Sequence, residues 1–167
     1  MTIGAVAGDN GPMAEGDVFA STVPYQPQRV EAAAVYCSDG RIGEQIDDLR
    51  HHALELPRYD RLAIPGGPAC LAGYFAAYRD RETVVGQLEF LINVHRLQRV
   101  VLIAHEDCAF YTERLDASPL GLDKRQREDL AKAVERVRQI GPQLVVDAYF
   151  ARPEDDQIIF ERIPGER

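Results

Sequence analysis

Six residues, CSDGRI at 37–42, set a thiol, a carboxylate and a guanidinium two positions apart, directly after the apolar run AAAV. Further along, HEDC at 105–108 puts an imidazole three residues before a second thiol, again behind an apolar run, RVVLIA. Cys37, His105 and Cys108 together offer two sulfurs and one nitrogen. That mixture suits zinc, whereas magnesium and calcium favour oxygen. Three protein ligands with an open fourth position is the pattern of a catalytic zinc site. Zinc lowers the pKa of a water held there and supplies hydroxide near neutral pH.

Residues two apart in an extended segment point the same way, so the Asp39 carboxylate can reach the same metal as a fourth ligand. Arg41 can instead hold that carboxylate in a bidentate pair, leaving the fourth position to water. Each piece also has a plainer explanation. H-x-x-C alone is a weak signal, a single free cysteine is ordinarily a small core side chain, and Asp39 with Arg41 alone would be a surface ion pair. A structural zinc would need a fourth ligand from Cys70 or another histidine. A redox pair of Cys37 and Cys108 would leave His105 and the Asp39–Arg41 pair without a role.

The elements that would carry these residues alternate between strand and helix. VEAAAVY (30–36), RLAI (61–64) and RVVLIA (99–104) read as buried strands, and LVVDAYFA (144–151) with QIIFERI (157–163) as a hairpin turning at Pro153–Asp156. Ile42, Ile46, Leu49, Ala53 and Leu56 share one face of a helix that stops before Pro57. Thr83 is placed to cap a helix carrying Val84, Leu88 and Leu91. Asp123 with Gln126 has the spacing of a capping box for a helix ending at Gly141-Pro142. The alternation predicts an α/β domain with a mainly parallel sheet, in which ligands sit beyond the carboxyl ends of the strands. Cys37 and Cys108 both fall there.

The remaining composition narrows the class. At 167 residues with 46% hydrophobic and 28% charged residues, the chain suits one globular domain. Residues 1–28 show no convincing period and read as an extended arm; residues 29–167 read as the single α/β zinc-binding domain. A net charge of -8 disfavours nucleic acid and anionic membranes. No apolar run approaches a bilayer span. No basic-then-apolar leader is seen, so the expected compartment is the cytoplasm. Three cysteines argue against a disulfide framework. Cys70 reads as buried, His51 and His52 as solvated, and His95 as packed at a helix end. Gly66-Gly67 lacks the following Lys-Ser/Thr of a phosphate loop and reads as a place where backbone comes close.

Taken together, the motifs resemble those of the β-class carbonic anhydrases, which carry Cys-x-Asp-Ser-Arg after the first strand and His-x-x-Cys after a later one. The matching residues are Cys37-Ser38-Asp39-Gly40-Arg41 and His105-Glu106-Asp107-Cys108. QLEFLINVHRLQRVVLIAHEDC (87–108) is similar to the family's helix, loop and strand leading to His-x-x-Cys, and the resemblance spans roughly residues 26–163. It implies a core of about four parallel strands plus an antiparallel C-terminal strand, helices on both faces, and a homodimer or higher homo-oligomer. It implies zinc on Cys37, His105 and Cys108. It implies an Asp39–Arg41 dyad that either orients a zinc-bound hydroxide or releases Asp39 onto the metal. The implied reaction is hydration of carbon dioxide to bicarbonate, with Gln28 binding the substrate.

Some positions depart from the family pattern. Gly40 replaces a serine, Ala109 a glycine, Phe90 a tyrosine, and IPGGPA (64–69) the usual Arg-Asn-Ala-Gly-Asn segment. The metal set is intact while the pocket wall is altered. Two rival functions follow: hydrolysis of an analogue such as carbonyl sulfide or carbon disulfide, and a zinc-binding or sensory protein without turnover.

Overall fold

The computed structural model describes residues 15–16 and 18–164. Five strands form one sheet: β1 (Ala32–Cys37), β2 (Asp60–Ile64), β3 (Arg99–His105), β4 (Val145–Glu154) and β5 (Gln157–Ile163). Their order is β2-β1-β3-β4-β5. The first four strands are parallel, and β5 runs antiparallel to β4. This is the expected α/β sheet.

Strands covered on both faces read as unbroken apolar runs, and every residue of β1 is buried. Side chains alternate between the two faces. Ala33, Val35 and Cys37 join Val100 and Leu102 in the core under α2 (Tyr78–His95) and α3 (Leu122–Ile140). Ala32, Ala34 and Tyr36 join Ile103 and Tyr149 in the core under α1 (Gly43–Asp48). Helices therefore cover both faces.

Several local details differ from the sequence expectations. The helix expected through Leu56 is α1 followed by a π-helical turn, Leu49–Ala53, in which the Leu54 N–H reaches the Leu49 carbonyl at 3.0 Å. That turn buries Arg50 completely, with its guanidinium 3.3 Å from the Tyr59 ring centroid and 2.8 Å from Asp47. Thr83 is not a cap: α2 begins five residues earlier, and the Thr83 hydroxyl donates to the Arg79 carbonyl. The capping box is also absent. Gly121, at φ +76°, stands at the start of α3, while Asp123 pairs with Arg127. The hairpin lies where expected, with Asp155 in the left-handed region.

Of the expected arm at 1–28, most residues before 18 lie outside the described residues. From 18 to 28 the chain is exposed and carries no helix or strand. Arg58 holds it by donating to the carbonyls of Gln26 and Gln28 at 3.1 and 2.8 Å.

Candidate metal centre

Adjacency of β1 and β3 builds the site. Tyr36 is in register with Ile103, so Cys37 and His105 leave the sheet at the same edge. The Glu106 N–H donates to the Ala151 carbonyl at 2.8 Å, which holds the exit of β3 against β4. Asp107 then turns the chain at φ +53°; Asp and Asn tolerate this region better than most residues. The turn brings Cys108 back under the sheet edge. Cys37, His105 and Cys108 are all buried, and their ligand atoms lie within 4.8 Å of one another.

The Cys37 and Cys108 sulfurs are 3.8 Å apart. A disulfide needs about 2.05 Å. Two thiolates on one tetrahedral zinc, with bonds of about 2.3 Å, stand about 3.8 Å apart. His105 Nδ1 lies 2.7 Å from the Glu106 carbonyl. Only a donor fits there, so Nδ1 carries the hydrogen and the lone pair sits on Nε2. Nε2 is buried with no hydrogen-bond partner. An unpaired buried acceptor is costly, and here it belongs to a set of two sulfurs and one nitrogen. That donor set fits a soft divalent ion.

The two thiols divide one proton between them. A hydrogen bond from Cys108 pulls Cys37 well below the usual thiol range. Burial opposes this, and His105 and the Gly66 N–H assist it. The same bond, together with burial, pushes Cys108 up. The Asp39 carboxylate is engaged by Arg41. Its Oδ2 accepts from Arg41 Nη2 at 2.5 Å, and its Oδ1 accepts from the Arg41 backbone N–H at 3.0 Å. These bonds hold the Asp39 carboxyl down at about 2.

The loop after β2 supports the cluster. Gly67 sits at φ +50°, and a Cβ there would fall 2.6 Å from the Cys37 nitrogen. Gly66 sits at φ +80°, where a Cβ would fall 2.5 Å from the Phe110 ring. The close backbone approach expected at Gly66-Gly67 is present at Gly67, while Gly66 meets the Phe110 ring.

Other candidates lie elsewhere. Cys70 is outside the cluster; its thiol donates to the Pro65 carbonyl at 3.4 Å, and burial pushes it up to about 12. Gln28 is exposed on the arm. Gln126 was missed as a site residue. It is buried on α3, and its Nε2 donates to the His105 carbonyl at 2.9 Å. Its position in the charged run DKRQRED at the helix start gave no signal of this contact.

The family model described as "Putative carbonic anhydrase" matches residues 28–159. The chain belongs to this carbonic anhydrase family. Solved structures with the same fold include the β-carbonic anhydrase isoform I of Trichomonas vaginalis, at 16% identity and TM-score 0.50 over 85% of this chain and 87% of that one. The carbonic anhydrase of Streptococcus mutans matches at 14% identity and TM-score 0.56, over 87% and 88% of the two chains. That of Glaciozyma antarctica matches at 17% identity and TM-score 0.54, over 83% and 85%. At such identities the likeness concerns the fold. No curated protein matches the sequence. Within the carbonic anhydrase fold, the cluster lies where two parallel strands end side by side. Among the described residues, no helix is long and apolar enough to cross a membrane.

Proposed function

We propose that this member of the carbonic anhydrase family is a cytoplasmic zinc enzyme that hydrates carbon dioxide to bicarbonate. One observation carries the reading: two buried sulfurs and a buried, unpartnered imidazole nitrogen converge at the carboxyl edge of the sheet. Bound there, zinc would activate water for attack on carbon dioxide near neutral pH.

The chain's own residues have distinct tasks. Cys37 and Cys108 supply negative charge to the ion, and His105 presents the Nε2 lone pair. The Glu106 and Gln126 contacts fix the ring and the backbone beneath it; such outer partners orient metal ligands. Asp39, ionised and engaged by Arg41, would leave a fourth position to water. Its remaining lone pairs can accept a hydrogen bond there. Gln28 is the amide proposed to orient bicarbonate. The overall change is carbon dioxide plus water to bicarbonate plus a proton, which passes to solvent. A homodimer is part of the proposal, supported by the exposed apolar side chains Val18, Phe19, Val23 and Tyr25 along the arm.

Hydrolysis of carbonyl sulfide is the second reading. Gly67 packed on the Cys37 backbone, with Gly66 against the Phe110 ring, favours it, because no polar side chain of that turn stands beside Cys37.

Elemental analysis with stopped-flow hydration tests both. One zinc per chain and rapid hydration are expected. Absence of zinc uptake would sink the whole reading. Zinc with sulfide release from carbonyl sulfide but no hydration selects the second reading. Zinc with neither activity marks a binding protein.

A further inference from the structure

A cleft of about 530 Å³ opens between the start of α2 and the turn after β3. Its walls are Ile64, Pro65, Cys70, Val84, Ala109 and Phe110. Burial keeps Cys70 a neutral thiol. The charged groups at the cleft are Asp80, Glu113 and Arg114. Asp80 and Arg114 pair with each other at 3.1 Å, which leaves Glu113 as the uncompensated charge. Such a rim repels anions, bicarbonate included, and offers no unpaired cation to bind them. Pockets of roughly 300–1,000 Å³ with mainly apolar walls take small organic molecules. The chemistry here selects an uncharged one.

Phe110 links the cleft to the metal ligands. Its ring lines the cleft and also lies against Gly66, where even a methyl group would not fit. The Gly66–Gly67 turn itself seats Cys37. Gly67, next in the chain, is packed on the Cys37 backbone. A molecule that displaces the Phe110 ring therefore also disturbs the turn packed on the Cys37 backbone.

We infer that this cleft is an effector site for an uncharged, apolar small molecule, and that its occupancy is transmitted to the metal ligands through Phe110 and the Gly66–Gly67 turn. The transmission half rests on the proposed metal site; the binding half does not. The molecule adds no covalent step.

Indole is a suitable probe because the chain has no tryptophan. Wild-type protein should show saturable, blue-shifted indole emission. Thr83→Phe and Ala109→Leu, which fill the cleft from exposed positions, should each abolish it. In cobalt-loaded protein, indole should shift the visible absorption bands and change the rate of metal release to a chelator about fivefold or more. Phe110→Leu should retain indole binding and lose both effects. Absence of saturable binding, or binding that survives both filling variants, overturns the site. Binding without any change in spectrum or release overturns the transmission. If only a Phe19→Asp variant takes up indole, the cleft belongs to the arm of a second copy, and the small-molecule site is overturned. Failure to take up cobalt, with indole binding intact, would instead count against the proposed metal function.

Discussion

The sulfurs of Cys37 and Cys108 stand 3.8 Å apart, although 71 positions separate them in the sequence. That spacing suits one shared ion. Cys37→Ser and Cys108→Ser should each weaken zinc retention by at least about a hundredfold, because each removes a direct ligand. Cys70→Ser should leave zinc content unchanged, since Cys70 bonds to the Pro65 carbonyl instead. Chelator competition on the three proteins distinguishes these outcomes. Equal zinc affinity in all three would dismiss the cluster as a metal site.

Asp39 and Arg41 give a pH prediction. The folded Asp39 pKa is depressed to about 2 by its bonds to Arg41, below the unfolded value near 3.9. The pair's stabilising effect is therefore fully present above roughly pH 4 and is lost as pH falls toward 2. In Arg41→Ala the Asp39 midpoint should rise to about the ordinary carboxylate value. Hydration should fall about 10- to 100-fold, the usual effect of losing an outer-sphere partner. Carbon-13 titration of the Asp39 carboxyl, alongside rate measurements, reads both.

Gln126 contacts the candidate metal centre through the His105 carbonyl. Its own Oε1 is buried and unpartnered. Gln126→Leu removes that orphan while creating another at the His105 carbonyl. The two effects offset, so stability should change by less than about 1 kcal/mol. Zinc affinity should nevertheless weaken about tenfold. Thermal unfolding paired with a zinc titration checks the split; a large loss of stability at unchanged affinity would make Gln126 a packing residue only.

Gly67→Ala should be among the most damaging small substitutions. The added Cβ meets Cys37 backbone at 2.6 Å, and the position has φ +50°. A cost of about 2 kcal/mol or more is expected from the backbone strain and the clash together. Gly43→Ala, where nothing lies within 4 Å, is the control. Melting temperatures of the two variants decide the matter.

The central strands were legible because burial on both faces leaves unbroken apolar runs, as in AAAV and RVVLIA. The candidate ligands were legible because they follow those runs at short spacing. Helix starts were less so. YRDRE (78–82) opens α2 with no apolar period to mark it, and Thr83 looked like a cap because a hydroxyl precedes Val84. Asp123 and Gln126 have capping-box spacing, yet Gln126 is drawn under β3 by the His105 carbonyl, a partner 21 residues away. Arg50 is fully buried only because Tyr36, Asp47 and Tyr59 converge on it from separate elements. No local pattern announces such a tertiary pocket for a cation.

The Gly66–Gly67 turn has a bearing on protein engineering. Anyone transplanting this centre into another scaffold would copy Cys37, Asp39, His105 and Cys108 first. Without a third chain segment thin enough to slide beneath β1, the recipient would hold its first cysteine at the wrong height. The portable unit is therefore the quartet of side chains together with the bare backbone that shims them.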